Sequence, residues 1–242
     1  MIKKSIALFI LKIFDYYHNK KIIFFLQKKI THINILLDIG AHKGESVNFF
    51  INNFSVNSIY SFEPSLNNYN KLKKNIINYN KKFKKINFKI YNYGFGEKKT
   101  DLILNQTAES SSSTFNKINI NSKYYNKKLF YLKSNKGSFS AETLSKLDTL
   151  DNFFKENKIS SVDLIKIDTE GYEYFVLKGL VENFYKVKFI IFEHHYDNML
   201  VKNYTFLNIN ELLKKNNFIK IYKLKMPFRK TFEYIYVNQS KI

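Results

Sequence analysis

Five polar residues each stand directly after an apolar run of the kind that forms a buried strand. They are Asp38, Glu63, Asn92, Asp168 and Glu193. Acids and amides also occur at strand ends as helix caps and turn formers, but five such positions in one chain favour a shared role. In a doubly wound sheet the ligand lies beyond the carboxyl ends of the strands. These side chains are therefore predicted to line one rim, where they could bind ligand hydroxyls or take a proton.

The turn after the first of these strands is rich in glycine and reads Gly40-Ala41-His42-Lys43-Gly44. A dinucleotide fingerprint has a second glycine where His42 stands, so that the backbone can approach a pyrophosphate. A cofactor without a pyrophosphate fits better. S-adenosylmethionine is one, because its carboxylate can use a helix N-terminus and its ammonium and ribose can use acids. The alternative is a plain strand-to-helix turn.

Glu63 follows Gly44 by about 20 residues, the usual spacing of an acid that binds a ribose. Its side chain has the reach and the lone pairs to accept hydrogen bonds from both ribose hydroxyls. We therefore predict that the cofactor contacts come from the first turn, the end of the second strand and the end of the third. The predicted residues are Asp38, Gly40, Ala41, His42, Gly44, Glu63, Pro64 and Asn92.

Apolar and amphipathic runs alternate along most of the chain. Strands are predicted at residues 35–39, 58–62, 86–91, 100–104, 162–167, 187–192, 218–224 and 231–237. Helices are predicted at residues 45–54, 66–79, 148–156, 172–180 and 209–215. This order predicts an α/β fold with a mostly parallel sheet, helices on both faces and an antiparallel pair of strands at the end of the chain.

A polar segment at residues 106–126 interrupts this alternation and contains a run of serines. Long loops inside compact domains usually have a function or lack order. A mobile loop that faces the substrate and a featureless linker are therefore both open. A short strand is predicted to return at residues 129–133.

Residues 2–30 contain two short apolar runs that are separated by polar residues. We predict two helices that pack on the domain, and one helical face carries Ile6, Phe9, Ile10, Ile13, Phe14 and Tyr17. The alternative is a basic amphipathic helix that lies on the inner face of a membrane. The runs are too short to span a bilayer, and no small-residue cleavage site of a signal peptide follows them. We divide the chain into an N-terminal helical extension, residues 1–30, and a main domain, residues 31–242.

The 242 residues include no cysteine and carry a formal net charge of +20. Neither disulfides nor thiolate metal sites can form, which agrees with a cytoplasmic protein. A single arginine among 40 basic residues, with heavy use of Lys, Asn, Ile, Phe and Tyr, indicates A+T-rich codons. The lysines are scattered, so nucleic acid is not the expected partner. The charge still leaves an anionic membrane, an anionic glycan or a nucleic acid open.

Three blocks make the chain resemble the FkbM-type methyltransferases. They lie at residues 37–44, 62–65 and 164–173, and the last contains Lys166-Ile167-Asp168-Thr169-Glu170-Gly171. Weaker matches lie at residues 147–150, in the serine run and at residues 192–195. The family usually has Asn where His42 stands. The resemblance implies a Rossmann-like seven-stranded methyltransferase sheet with an antiparallel last strand. It also implies O-methylation, often of a sugar or polyketide hydroxyl, and we expect a sugar hydroxyl of a surface polysaccharide or glycolipid.

Methyl transfer to a sugar hydroxyl needs in-line geometry and a base, because the hydroxyl has a high pKa. The candidates for the base are Asp168, which has Lys166 as its neighbour, Glu193, His194 and His195. The alternative for the two histidines is a hydrogen-bonded place in the core or at the rim.

No metal is predicted, because Asp168 and Glu170 supply too few oxygens for a hard cation. Glu170 and Glu173 could instead cap the helix that they open. Two rival functions stay open. A nucleic-acid methyltransferase or binding protein would explain the charge, but the Asn/Asp-Pro-Pro-aromatic block usual in base methyltransferases is missing. A non-enzymatic, membrane-docked scaffold would explain residues 2–30.

Overall fold

The computed structural model describes residues 2–106, 113–132 and 142–242. The helices are α1 (Ile2–Gln27), α2 (Glu45–Asn53), α3 (Leu66–Lys82), α4 (Lys123–Leu132), α5 (Leu150–Glu156), α6 (Glu173–Lys178) and α7 (Phe206–Lys215). The strands are β1 (His32–Ile39), β2 (Ser55–Phe62), β3 (Asn87–Tyr91), β4 (Gly94–Phe95), β5 (Thr100–Asn105), β6 (Lys117–Ile118), β7 (Glu142–Asp148), β8 (Val162–Ile167), β9 (Val187–His195), β10 (Leu200–Val201), β11 (Phe218–Lys225) and β12 (Thr231–Asn238).

The main sheet has seven strands in the order β11-β12-β9-β8-β1-β2-β3. The strands from β9 to β3 in this order are parallel, whereas β12 runs antiparallel to both β9 and β11. The predicted fold class is confirmed. Ile39, Phe62, Ile167 and Phe192 lie in register across four parallel strands. The residues that follow them, Gly40, Glu63, Asp168 and Glu193, therefore emerge at the same level of the carboxyl edge, whereas Asp38 lies within β1.

Each face of this sheet is covered by its own apolar cluster. Because successive side chains of a strand point to opposite faces, Leu37 and Ile165 pack on one side and Leu36 and Leu164 on the other. Helices α5, α6 and α7 cover the first face, and α1, α2 and α3 cover the second. A smaller sheet, β4-β7-β5, lies beside the main one.

The N-terminal segment forms one helix, α1, and the prediction of two helices is wrong. No glycine or proline interrupts the segment, so its polar middle continues the helix. His18, Ile22 and Leu26, each four residues apart, are buried, and the two apolar ones join the core beside β1. By contrast, Ile13 and Tyr17 are exposed, so this part of the predicted packing face points outward. The division at residue 30 stays a prediction.

The segment after β5 contains more regular structure than its polar sequence indicates. Strand β6 pairs antiparallel with β10, and α4 follows it. The strand predicted at residues 129–133 is wrong, because Tyr125 and Leu129, one helical turn apart, bury one face of α4 against Met199 and Leu200. The linker interpretation is likewise wrong for residues 113–126. Most of the serine run, at residues 110–112, lies outside the described residues.

Candidate active site

A cavity of about 1900 Å³ opens at the carboxyl edge of the parallel strands. One end lies at the turn between β1 and α2, and the other lies between α1 and the β11–β12 hairpin. Most residues that were predicted for the site line this cavity: Gly40, Ala41, His42, Glu63, Pro64, Lys166, Asp168, Glu193 and His195. Asp38, Gly44 and Asn92 do not line it. They lie behind the lining residues and hold the turns that form its wall.

The turn between β1 and α2 is packed tightly against the loop after β8. Gly40 has φ +83°, and a Cβ atom there would lie 1.9 Å from the carbonyl oxygen of Asp168. The N–H groups of Gly40 and Ala41 both donate to the carbonyl oxygen of Phe62, each at 3.0 Å. Gly44, with φ +91°, ends the turn and precedes the first residue of α2. Only a glycine fits at Gly40, and this turn brings the ends of three strands together.

Glu63 is a buried acid at the edge of the cavity, with 5% of its surface exposed. Its Oε2 accepts the N–H of His42 at 2.8 Å, and its Oε1 accepts the N–H of Ser65 at 2.9 Å. Burial raises the pKa of Glu63 to about 7, although these N–H groups act in the opposite direction. Asn92 holds the turn from behind, because its Nδ2 donates to the carbonyl oxygens of Glu63 and Pro64 at 2.9 and 3.3 Å.

Asp38 is fully buried beneath the first turn. Ser46 Oγ donates to its Oδ2 at 2.5 Å, and Lys166 stands opposite it on β8. Its Oδ1 has no hydrogen-bond partner among the residues that the structure describes. Burial raises the pKa of Asp38, while Lys166 and Ser46 lower it. Asp38 therefore ties α2 to the sheet and places a carboxyl group next to the ammonium of Lys166.

Lys166 and Asp168 form an ion pair in the cavity wall, with Nζ and Oδ2 2.9 Å apart. Burial lowers the pKa of Lys166, but the carboxyl groups of Asp168, Asp38 and Glu193 outweigh this effect and raise it above its ordinary value. The ammonium keeps its proton at neutral pH. Lys166 therefore cannot act as a base, and its role is to hold Asp168 in place.

Glu193 projects into the cavity from β9. Its carboxyl group makes no hydrogen bond or ion pair with any residue in the described ranges. Burial raises its pKa well above the ordinary value, and the negative charges of Asp168 and Glu233 add to this effect. Glu233, directly opposite on β12, is instead engaged by His18 at 2.9 Å. The charges of His195 and Lys166 act in the opposite direction on the pKa of Glu193. A carboxyl group with a raised pKa and no hydrogen bond to the described residues has the properties of a base that works near neutral pH.

The two adjacent histidines of β9 point to opposite faces of the sheet. His195 faces the cavity, with Nδ1 3.1 Å from Thr231 Oγ1 and 3.7 Å from Asp197 Oδ2. Burial lowers its pKa, but Asp197 and nearby glutamates raise it to about 9. His194 is buried against Tyr196 on the other face, and burial lowers its pKa to about 3. His194 therefore does not serve as the base, and His195 carries a proton at neutral pH.

We expect the two histidines to titrate at opposite ends of the pH scale. The imidazole of His195 should stay protonated until about pH 9, and that of His194 should stay neutral down to about pH 3. A two-dimensional NMR titration of the imidazole C–H signals measures this, with His194→Asn and His195→Asn to assign them. Titration of both rings near their ordinary pKa of about 6.5 would contradict the described geometry.

Three residues outside the predicted catalytic and cofactor sets hold the loop after β8. Thr114 Oγ1 donates to the carbonyl oxygen of Glu170 at 2.7 Å, and Asn116 Nδ2 donates to that of Gly171 at 2.6 Å. Glu173 Oε1 accepts the N–H of Gly171 at 2.8 Å, so Glu173 caps this turn. In the described part of the chain, no group of three or more His, Asp or Glu side chains is placed to hold a metal ion.

The sheet order, with β12 antiparallel between β9 and β11, and the glycine turn beside a buried acid define a class of protein. That class is the methyltransferases with a Rossmann-like fold. The family model of the methyltransferase FkbM domain matches residues 38–220. The chain therefore belongs to the FkbM methyltransferase domain family.

Two solved structures show the same fold. Methyltransferase FkbM from Methylobacillus flagellatus KT is 16% identical, with a TM-score of 0.52 over 84% of this chain and 43% of that chain. Magnesium protoporphyrin IX methyltransferase from Synechocystis PCC 6803, solved with bound SAM, is 6% identical, with a TM-score of 0.51 over 99% of this chain and 84% of that chain. The chain thus spans less than half of the first protein's length. No curated protein sequence matches the chain.

Proposed function

We propose that the protein is an S-adenosylmethionine-dependent O-methyltransferase. Its acceptor is a sugar hydroxyl of a surface polysaccharide or glycolipid, and it acts in the cytoplasm. One observation carries the proposal: the carboxyl group of Glu193, which no described residue hydrogen-bonds, lies in the same cavity as the turn at Gly40 and the buried acid Glu63. Membership of a methyltransferase family supports methyl transfer, and this arrangement supports a hydroxyl acceptor.

The first turn and Glu63 fit S-adenosylmethionine, which supplies an activated methyl group when bound. The carboxylate oxygens of Glu63 accept the N–H groups of His42 and Ser65 and a side-chain hydrogen bond from Asn68, which leaves one lone pair for a ribose hydroxyl. The N-terminus of α2 already has a carboxylate of the protein beside it. Glu45, the first residue of the helix, accepts the N–H of Lys43 in the preceding turn at 3.0 Å. The ribose and the ammonium, rather than the carboxylate, are therefore the ligand groups that this turn favours.

Glu193 is the proposed base for the acceptor. In its ionised form it accepts a hydrogen bond from the acceptor hydroxyl and takes the proton as the oxygen gains the methyl group. Lys166 keeps Asp168 oriented beside it. His195, protonated at neutral pH, donates rather than accepts. Its Nε2 is buried and lies 3.5 Å from Oε2 of Glu170, so its charge holds this carboxyl group at the wall of the cavity.

The acceptor end of the cavity favours a molecule with many hydroxyl groups. Its walls carry the carboxyl groups of Asp168, Glu193 and Asp197 and the rings of Tyr124 and Tyr196. Carboxylates accept hydrogen bonds from hydroxyls, and aromatic faces pack against the apolar faces of sugar rings. The same cavity is also lined by lysines, among them Lys123, Lys127 and Lys230, so the charge of its walls does not separate a glycan from a nucleic acid.

Two measurements on the wild-type chain test the proposal. Calorimetry with S-adenosylhomocysteine measures cofactor binding. Transfer of a radiolabelled methyl group is then measured to a polysaccharide and glycolipid extract, with total RNA as the matched acceptor. We expect binding, label in the glycan fraction and none in RNA. Failure of the folded chain to bind the cofactor would refute methyl transfer, and label in RNA alone would refute the acceptor class.

We expect the affinity for S-adenosylhomocysteine to rise as the pH passes upward through about 7, where Glu63 loses its proton. An ionised carboxylate is a stronger acceptor for ribose hydroxyls than a carboxylic acid. Glu63→Gln should bind more weakly, on the order of tenfold to a hundredfold, and without this pH dependence. Calorimetry across this pH range compares the two proteins. A flat wild-type profile would show that Glu63 does not contact the ribose.

A further inference from the structure

The outward side of α1 is apolar and aromatic. Ile13, Tyr17 and Phe24 expose 39%, 58% and 63% of their surface. On a helix, these three positions lie opposite the buried stripe that joins α1 to the core. Residues of this kind normally face inward, so a row of them on the outer side indicates a binding surface.

Two lysines lie on the same side, Lys20 in α1 and Lys28 directly after it. The sequence of α1 contains five lysines and a single acid, Asp15. The ammonium of Lys20 lies 4.7 Å from the centre of the Tyr16 ring, and that of Lys28 lies 4.0 Å from the Phe24 ring. Lysines beside exposed aromatic rings are typical of segments at lipid headgroups.

This surface adjoins the cavity. The exposed ring of Phe228, in the β11–β12 turn, packs edge-on against Phe14 with centres 5.0 Å apart. Asp15 forms an ion pair with Arg229 at 3.0 Å, and Asp15, Phe228 and Arg229 all line the cavity. We refer to the exposed apolar residues here as the α1–hairpin patch: Ile13, Phe14, Tyr17, Phe24 and Phe228.

We propose that the α1–hairpin patch docks on an anionic lipid bilayer and brings the mouth of the cavity to the membrane surface. The lysines of α1 match anionic headgroups, and the rings match the boundary between headgroups and chains. A second copy of the chain on the same patch would instead bring two sets of lysines together, and like charges repel. No helix within the described residues is long and apolar enough to cross a membrane, so the contact is peripheral. It needs no methyl transfer and is independent of the proposed function.

The test is co-sedimentation of the full chain with vesicles of phosphatidylcholine, either alone or mixed with phosphatidylglycerol. We expect binding to the mixed vesicles only, and weaker binding as salt rises. The variant Ile13→Ser/Phe24→Ser should reduce it on the order of tenfold or more. Tyr185→Ser is the matched control, because Tyr185 is as exposed as Phe24, at 63%, and lies before β9.

A charge variant gives a second comparison. Lys20→Glu/Lys21→Glu should weaken binding to the mixed vesicles, whereas Lys81→Glu/Lys82→Glu, at the end of α3, should not. Three results would overturn the proposal. The wild type could fail to bind the mixed vesicles, or the two control variants could lose as much vesicle binding as the α1 variants. The α1 variants could also change their oligomeric state while vesicle binding stays intact. Deletion of residues 1–30 is a poorer test, because it also removes Ile22 and Leu26 from the core.

Discussion

Gly40→Ala should lower the free energy of unfolding by about 3 kcal/mol or more. The new Cβ would lie 1.9 Å from the carbonyl oxygen of Asp168, at a backbone φ of +83° that L side chains rarely adopt. Neither atom can yield, because the backbone fixes the position of the Cβ and the carbonyl oxygen is itself a backbone atom. The turn must move away from β8, so cofactor affinity should fall with stability. Denaturant unfolding and calorimetry with S-adenosylhomocysteine measure the two effects.

Gly44→Ala is the matched control for this prediction. Its φ of +91° is similarly strained, but the new Cβ meets the end of the flexible Leu72 side chain at 3.0 Å. We therefore expect a smaller loss, about 1–2 kcal/mol. Equal losses in the two variants would show that backbone strain, rather than contact with the loop after β8, makes Gly40 necessary.

Glu193→Gln should reduce the rate of methyl transfer on the order of 10²–10⁴-fold and leave the affinity for S-adenosylhomocysteine unchanged. The amide keeps the size of the side chain but cannot take a proton. In the wild type the rate should rise with pH as Glu193 ionises, and its raised pKa places this rise above the usual range of a carboxyl group. Turnover assays across pH, with the glycan fraction as acceptor, measure both features.

Glu233→Gln is the comparison for Glu193. It stands opposite on β12 but is engaged by His18, so the rate at its plateau should change little. Its negative charge contributes to the raised pKa of Glu193. Its removal should therefore move the rise in rate to lower pH. A Glu193→Gln protein that is as active as the wild type would end the assignment of Glu193 as the base.

The parallel sheet and most of the site could be predicted because local patterns specify them. Each of these apolar runs ends in a polar residue at the carboxyl edge, and this pattern includes Glu63, Asp168 and Glu193, which line the cavity; their roles stay predictions. The histidines show a limit. The strand was predicted to end at residue 192, whereas β9 continues to His195. Because successive side chains of a strand point to opposite faces, His194 and His195 are separated only if the strand extends as far as both of them.

Contacts between distant parts of the chain had no signal in the sequence. His18 and Glu233 are 215 positions apart, and neither belongs to a recognisable motif. The packing face of α1 was also predicted wrongly at Ile13 and Tyr17, which are exposed. Its apolar residues are spread around the helix, and the sheet selects the stripe at His18, Ile22 and Leu26 because that stripe continues the core beneath β1. Periodicity alone cannot tell which of two apolar stripes the rest of the fold will cover.

The pairing of His18 with Glu233 has a consequence for how the protein matures during translation. His18 in α1 leaves the ribosome early. Its partner Glu233 in β12, on the opposite side of the cavity, is synthesised 215 residues later. A nascent chain can therefore complete the turn at Gly40 long before the acceptor end is enclosed. Until then the apolar cluster that contains Ile22 and Leu26 lacks Ile235 and Val237, its buried members from β12. Chaperones that bind exposed apolar helices would meet α1 during this interval, and a chain truncated before β12 could not form a closed site.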